Sequence, residues 1–280
     1  MWGVFRIRKD EAFDRTVWLE KKLQRERDRL ERQKEHAKNC LSIPDRDKAL
    51  RRLWQSLGLS RRHRQALLDR GLTDSQIESG LFFSIYPNDD VPPGIPPNLP
   101  GVIGGKIAAG GVGIACLAFD SEGRAIGYQI RLENVTDSKY RWAKGLTSSH
   151  LADGELPITH IPNGNGDRVW LSEGILKPFV AAHKHGINCM GAAGGHFSGS
   201  ANQVREAIAS YQQLILCPDA GDINNHHVMR RWEKEIKFLE SLGKSILIAW
   251  WGQESKKNDD IDEIGNLEAI EFIPPSQFLA

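Results

Sequence analysis

Short apolar runs alternate with amphipathic segments through the last third of the chain. Residues 169–171, 214–216 and 246–251 are almost continuously apolar, as strands buried on both faces of a parallel sheet are. Segments with helical spacing separate these runs, and the longest extends from about residue 225 to 242. Regular alternation of strand and helix builds a mostly parallel sheet with helices on both faces. The pattern predicts an α/β domain over residues 167–273.

The middle of the chain has a different pattern. Residues 114–119 and 126–132 alternate in strand fashion around the turn-forming segment 120–123, which predicts a β-hairpin. The glycines between residues 101 and 113 are not followed by the GK[ST] of a phosphate-binding loop, and they predict a loop or bulge. We therefore expect a β-rich subdomain over residues 101–166.

Three further segments precede this subdomain. Residues 1–41 include a densely charged stretch that predicts an exposed helix, either solvated or serving as a nucleic-acid-binding arm. Residues 42–85 carry three short helical patterns, which predict a small helical bundle with a basic edge. Residues 86–100 contain six prolines and predict an extended connector.

Composition narrows the functional classes. The formal charge is +1, from 37 Lys and Arg against 36 Asp and Glu, so nucleic-acid affinity would depend on where the basic residues lie. No stretch reaches the roughly 20 apolar residues that span a bilayer, and the amino terminus lacks a signal-peptide segment. We expect a cytoplasmic location and no membrane partner. Cys40, Cys116, Cys189 and Cys217 form no C-x-x-C pair, which argues against a disulfide framework or a zinc ribbon.

Acidic side chains follow each of the strand-like runs. Glu173 comes after the first, Asp219 and Asp222 after the second, and Asp259, Asp260 and Asp262 after the third. Ligands of open α/β sheets bind at the carboxyl ends of the strands, where these acids would converge. Carboxylate oxygens are ligands that Mg²⁺ prefers. The arrangement predicts a metal-dependent site acting on phosphates.

The order of these motifs carries a family resemblance. Glu-Gly at 173–174, the segment CPDAGD at 217–222 and the segment DIDE at 260–263 resemble the Toprim domain of bacterial primases, topoisomerases and related nucleases. Upstream, RGLTDSQI and FDSEGRAIGYQIRLENVTDSKYRWAKG resemble the catalytic region of bacterial primases. The details EGILKP, AWWGQ and DIDEIG are most similar to the Toprim-bearing domain of plasmid-replication primase proteins. The resemblance covers about residues 50 to 270.

The resemblance implies a fold and a set of roles. The fold is an α/β, Toprim-like, mostly parallel sheet with helices on both faces, preceded by a small helical bundle and a β-rich primase-like subdomain. Glu173 would act as general acid or base. Mg²⁺ or Mn²⁺ would be held by Asp219, Asp222, Asp260 and Asp262.

Each of these acids also has a plainer interpretation. Glu173 could cap the helix that follows it, and Asp222, three residues after Asp219 where the family has Asp-x-Asp, could cap the next helix. Asp260 and Asp262, at alternate positions of an extended loop, would point the same way or belong to a solvated acidic turn.

Basic residues provide candidate contacts to nucleic acid or nucleotides. Lys177 lies one helical turn past Glu173. Arg131, Lys139 and Lys144 match the primase-like basic stretch, in which Tyr140 and Trp142 could stack on bases. Each could instead be a salt-bridged or solvated residue. The loop GAAGGHFSGS could hold a phosphate on its backbone N–H groups, or its glycines could serve close packing.

Three functions fit these features. The first is a primase-type nucleotidyltransferase core that acts on a single-stranded DNA template and nucleotides in plasmid or phage replication. Its expected protein partner is a replicative helicase, in trans or on a longer parent chain. The second is a Toprim nuclease or topoisomerase-like DNA-cleaving enzyme, and the third is a non-catalytic nucleic-acid-binding replication module.

Overall fold

The chain forms eight α-helices and twelve strands among the residues described by a computed structural model, which are residues 15–135 and 139–280. The helices are α1 Arg15–Asn39, α2 Ile43–Leu57, α3 Arg61–Leu68, α4 Asp74–Ser79, α5 Leu176–His185, α6 Ala201–Ala207, α7 His226–Glu240 and α8 Pro275–Phe278. The strands are β1 Phe83–Ile85, β2 Val102–Ile103, β3 Lys106–Ile107, β4 Gly113–Phe119, β5 Ala125–Leu132, β6 Tyr140–Trp142, β7 Thr159–Ile161, β8 Arg168–Glu173, β9 Cys189–Ala192, β10 Gln213–Leu216, β11 Ser245–Trp250 and β12 Glu271–Ile273.

The last third of the chain forms a six-stranded sheet in the order β12-β11-β10-β8-β9-β7. The four central strands, β11, β10, β8 and β9, are parallel neighbours, and the three predicted apolar runs lie in β8, β10 and β11. The two edge strands, β7 and β12, are antiparallel to their neighbours. The prediction of a mostly parallel sheet is therefore confirmed.

Alternate residues of the central strands face two different layers of helices. Trp170 of β8 belongs to the same core as Phe179 and Val180 of α5. Its neighbours Val169 and Leu171 pack in a second core with Trp232 of α7. Because successive side chains of a strand point to opposite faces, β8 serves both layers, and the sheet carries helices on both faces as predicted.

A second, antiparallel sheet has the order β1-β4-β5-β6. Strands β4 and β5 form the hairpin predicted from the sequence, and Gly123 (φ +74°) supplies the positive φ of its turn. Helix α2 packs on β5, and its buried Leu50 and Leu53 share the core of this sheet. The two sheets meet where the Phe119 amide donates to Thr159 Oγ1 at 3.2 Å, which joins β4 to β7.

The glycine-rich segment differs from its prediction. Instead of a loop or bulge alone, it contains the two-stranded hairpin β2-β3, with Gly104 (φ +57°) and Gly105 (φ +74°) at the turn. Positive φ at both central residues is what tight two-residue hairpin turns require, so the glycines are turn residues here. The proline-rich residues 86–100 contain no helix or strand, only an isolated bridge from Asp90 to Lys106.

Helix α1 is exposed along most of its length, as its charge pattern predicts. Its carboxyl-terminal half contacts the segment before β7: Gln33 Nε2 donates to the Asp153 carbonyl at 2.6 Å, and His36 Nε2 lies 3.0 Å from the His150 carbonyl oxygen. The part of the predicted 1–41 segment before residue 15 lies outside the described residues. No described helix is both long enough and apolar enough to cross a membrane.

Candidate active site

A cleft of about 440 Å³ opens at the carboxyl ends of the parallel strands. One wall, the acidic wall, carries Glu173, Lys177, Asp219, Asp260 and Asp262. The opposite wall, the basic wall, comes from the antiparallel sheet and carries Gln129, Arg131, Lys139, Tyr140 and Trp142. The cleft thus brings together seven of the nine site residues predicted from the sequence, all but Asp222 and Lys144.

Glu173 ends β8 and is held by close backbone packing. The following residue, Gly174, has φ +85° and donates its amide to the Ala192 carbonyl at 2.8 Å. A Cβ added at Gly191 would lie 2.2 Å from the Gly174 carbonyl oxygen, so only glycine fits there. Helix α5 begins without a side-chain cap, so Glu173 does not serve as one. The Glu173 side chain is 37% exposed, and its carboxylate lies 3.5 Å from Arg231.

Asp219 and Asp260 converge on the ammonium group of Lys177. Lys177 Nζ lies 2.6 Å from Asp219 Oδ1 and 2.8 Å from Asp260 Oδ2. Asp260 is also fixed by the Ala220 amide, which donates to its Oδ1 at 2.9 Å. Lys177 is four residues past Glu173, and its position on the first turn of α5 directs it across the sheet end.

Burial and the neighbouring opposite charge shift the pKa values of Asp219 and Lys177 in opposite directions. Burial raises the pKa of Asp219 to about 7; Lys177 opposes that rise, while Asp260 and Glu173 add to it. Burial also acts to lower the pKa of Lys177, but Asp219 and Asp260 outweigh it, and the pKa of Lys177 is raised above its ordinary value. The lysine is therefore a permanent cation at neutral pH.

Asp262 pairs with an arginine and not with Lys177. Arg70, from the connection between α3 and α4, lies 2.7 Å from Asp262 Oδ2. Burial raises the pKa of Asp262, and Arg70 opposes the rise. The backbone here turns, with the Glu263 amide donating to the Asp260 carbonyl at 2.8 Å. The predicted extended loop is therefore wrong, and Asp260 and Asp262 have separate partners although both line the cleft.

Asp222 lies outside the cleft lining. Its Oδ2 accepts hydrogen bonds from the Asp219 amide at 3.1 Å and from Trp232 Nε1 at 2.8 Å. It lies 3.7 Å from Arg231, and the cap of α7 is Asn225. The structure thus places Asp222 behind Asp219, where it fixes the turn that carries that residue.

The basic wall has hydrogen-bonding groups without protein partners. Among the described residues, Gln129 Oε1, Arg131 Nε and Trp142 Nε1 are buried and make no hydrogen bond. Tyr140 is 38% exposed. Lys144 is exposed but does not line the cleft, so the structure separates it from Arg131 and Lys139.

Arg70, Arg231 and Gln129 are site residues that the sequence analysis missed. Arg70 is the first residue of the RGLTDSQI segment, so the resemblance carried a signal for it. Arg231 lies on α7, 58 residues from Glu173 in sequence, and no spacing pattern indicated it. Each arginine binds an acidic-wall residue from a distant part of the chain.

The loop GAAGGHFSGS and the start of α6 after it contain backbone N–H groups that are bonded within the protein. The Ser198 amide donates to Glu235 Oε2 at 2.7 Å, and the amides of Asn202 and Gln203 donate to Glu155. These three N–H groups are engaged within the protein, and a phosphate-binding role for the rest of the loop stays a prediction. Only Ala193 and Gly194 of this loop line the cleft.

Two carboxylates of the acidic wall are placed as a divalent metal would need them. Within residues 15–135 and 139–280, no three His, Cys, Asp or Glu side chains are grouped to hold a metal by themselves. Asp219 and Asp260 do aim their oxygens at one cation, the Lys177 ammonium. Mg²⁺ commonly binds through one or two carboxylates plus substrate phosphates. The pair fits Mg²⁺ or Mn²⁺ on that pattern, with phosphate completing the ligands.

The chain has the fold of bacterial primase catalytic cores. The E. coli primase catalytic core matches with a TM-score of 0.57 and 16% identity over 85% of this chain and 82% of that chain. A DNA primase domain from Pseudomonas aeruginosa matches with a TM-score of 0.52 and 17% identity over 79% and 73%. A DnaG primase catalytic domain bound to single-stranded DNA matches with a TM-score of 0.52 and 17% identity over 78% and 74%. No family model and no curated protein matches the sequence.

Proposed function

We propose that the cleft is the active site of a Mg²⁺- or Mn²⁺-dependent, primase-type nucleotidyltransferase acting on single-stranded DNA in plasmid or phage replication. The observation that carries the proposal is the cleft itself, in which Glu173, Asp219 and Asp260 face Arg131 and Lys139. The fold supports it, since one similar structure is a primase catalytic domain bound to single-stranded DNA. A replicative helicase, in trans or on the same parent chain, is the proposed protein partner.

The reaction would join the 3′-hydroxyl of a growing primer to the α-phosphorus of a nucleotide, releasing pyrophosphate. Glu173 is the residue we assign to accept the hydroxyl proton, because it lies at the cleft and, among the described residues, only a long 3.5 Å contact to Arg231 engages its carboxylate. Asp219 and Asp260 would hold the metal. A bound divalent ion supplies charge neutralisation at the transferred phosphoryl group.

The basic wall would hold the polyanionic substrates. Arg131 and Lys139 line the cleft and can contact phosphates there. Tyr140 is exposed enough to stack on a base. The functional division would place chemistry on the acidic wall and binding on the basic wall.

One comparison tests this function. Primer synthesis from ribonucleotides on single-stranded DNA is measured with Mg²⁺ or Mn²⁺, beside nicking of a supercoiled plasmid. The native chain is compared with Glu173→Gln and with Glu240→Gln, a matched substitution of an exposed carboxylate at the end of α7. We expect primers from the native chain and from Glu240→Gln. Glu173→Gln should make fewer primers by a factor of about 100 or more. Nicking that depends on Glu173, without primers, would instead identify a Toprim nuclease.

A second candidate function is favoured by the ion pairs of the acidic wall. Lys177 already occupies the position between Asp219 and Asp260, which suits a non-catalytic module that binds nucleic acid through its basic wall. Binding of a single-stranded oligonucleotide without primer synthesis or nicking, under both metals, would identify this function.

A further inference from the structure

Lys177 sits where a metal would bind. Its side chain is only 16% exposed, and its ammonium makes contacts of 2.6 and 2.8 Å to Asp219 and Asp260, which are the lengths of strong charge-assisted hydrogen bonds. One univalent cation thus neutralises part of the charge of two carboxylates. A divalent ion using the same two oxygens would have to displace it.

The other cations near the acidic wall are engaged elsewhere. Arg70 pairs with Asp262, and Arg231 pairs with Glu173 and Asp222. In the described parts of the chain, the ion pairs of both Asp219 and Asp260 are made with Lys177. The lysine has room to leave, because the cleft that it lines continues to the basic wall.

We propose that Lys177 is an internal counter-ion that competes with a divalent metal for Asp219 and Asp260. The inference rests on the proposed function in assuming that these carboxylates hold the metal. An ammonium and a divalent cation repel each other at contact distance, so each weakens binding of the other by the same factor. The metal-free chain is consequently stabilised by Lys177, and metal affinity is reduced by it.

The test measures Mn²⁺ binding directly, by electron paramagnetic resonance of the free ion. Native chain is compared with Lys177→Met, which keeps the side-chain length and removes the charge. Lys139→Met is the matched control, since it removes the same charge from the same cleft without touching either carboxylate. We expect Lys177→Met to bind Mn²⁺ about tenfold more tightly and Lys139→Met to remain close to native.

Thermal unfolding gives a second readout. In EDTA, Lys177→Met leaves Asp219 and Asp260 facing each other without their counter-ion, so its Tm should fall below that of the native chain. Added Mn²⁺ should raise the Tm of Lys177→Met more than it raises the Tm of the native chain. Adding Asp219→Asn to Lys177→Met should remove the gain in Mn²⁺ affinity, which locates the bound ion.

Lys177→Gln guards against a folding failure, because its neutral amide can still donate a hydrogen bond to Asp219. It should also bind Mn²⁺ more tightly than the native chain. Equal Mn²⁺ affinity in the native chain and both Lys177 variants, or equal tightening in Lys139→Met, would overturn the inference. Primer synthesis by the native chain is measured in parallel. If the native chain makes primers but the Lys177 variants bind Mn²⁺ no more tightly than it does, only the counter-ion role of Lys177 is rejected. If the Lys177 variants bind Mn²⁺ more tightly but the native chain makes no primers, only the proposed function is rejected.

Discussion

The two walls of the cleft differ in how far their polar groups are satisfied. On the acidic wall, Asp219 and Asp260 contact Lys177, and Asp262 contacts Arg70. On the basic wall, Arg131 Nε and Gln129 Oε1 are buried and make no hydrogen bond to the described residues. An unmade buried hydrogen bond costs about 1–3 kcal/mol, so the polar groups of the basic wall are the less fully satisfied of the two.

The two walls therefore differ in what a substitution should affect. The acidic wall is held in place by internal ion pairs before any ligand arrives, as preorganised catalytic groups are. The basic wall instead exposes Lys139 and Tyr140 to the cleft. We therefore expect substitutions on the acidic wall to affect chemistry or stability, and substitutions on the basic wall to affect binding.

The largest effect is expected from Asp219→Asn. It should lower primer synthesis by about 100-fold or more while affinity for single-stranded DNA changes little, because the basic wall is intact. Asp259→Asn is the matched control, since Asp259 is exposed and lies outside the cleft lining. Equal loss of DNA affinity and synthesis in Asp219→Asn would show that the walls do not divide the work.

Arg70→Ala should destabilise the fold by about 3 kcal/mol, because it leaves the Asp262 carboxylate, only 4% exposed, without its cation. Urea unfolding measures the change. Adding Asp262→Asn to Arg70→Ala should restore much of the stability.

Arg64→Ala is the control for this pair. Arg64 lies 2.8 Å from Asp74, but that carboxylate is well exposed, so the loss should stay within about 1 kcal/mol. A loss of that size for Arg70→Ala as well would show that Asp262 does not depend on its arginine.

Arg131→Ala should weaken single-stranded DNA binding and reduce the slope of log affinity against log salt by about 0.7, the share of one phosphate contact. Fluorescence anisotropy over a salt series measures both. Lys144→Ala removes the same charge from outside the cleft and should have the smaller effect. A larger effect of Lys144→Ala would place the nucleic acid on another surface.

The smallest effect concerns pH. Because burial raises the pKa of Asp219 from 3.8 to about 7, the folded chain keeps a proton between these values that the unfolded chain releases. This carboxyl therefore makes the folded chain less stable as pH rises through that window. Urea unfolding in EDTA at pH 5 and pH 7.5 should show a smaller decrease for Asp219→Asn than for the native chain. An unchanged decrease would mean that Asp219 titrates normally.

The sequence predicted the parts of the fold that depend on local pattern. Strands β8, β10 and β11 contain continuous apolar runs. The hairpin β4-β5 combines strand-like alternation of residues with a turn-forming segment. Strands β7 and β12 have three residues each, too few for a period, and depend on the strands beside them. The domain boundaries remain predictions.

The candidate site was predictable to the extent that strand ends determine it. Acids placed after parallel strands meet at one edge of the sheet, which brought Glu173, Asp219 and Asp260 to one cleft. Their cationic partners could not be foreseen, since Arg70 lies 192 residues from Asp262. Lys177 was expected to meet a phosphate, yet its contacts are to two acids, because only the folded chain shows which charges are nearest.

The short edge strands have a consequence for self-association. One edge of the parallel sheet, β7, is fully buried against the antiparallel sheet through Thr159. The opposite edge, β12, is the only lateral border of this sheet left open among the described residues, and it is three residues long. An edge strand of three residues offers few unpaired backbone N–H and C=O groups to another chain. We therefore expect this edge of the parallel sheet to pair little, edge to edge, with the sheet of another chain.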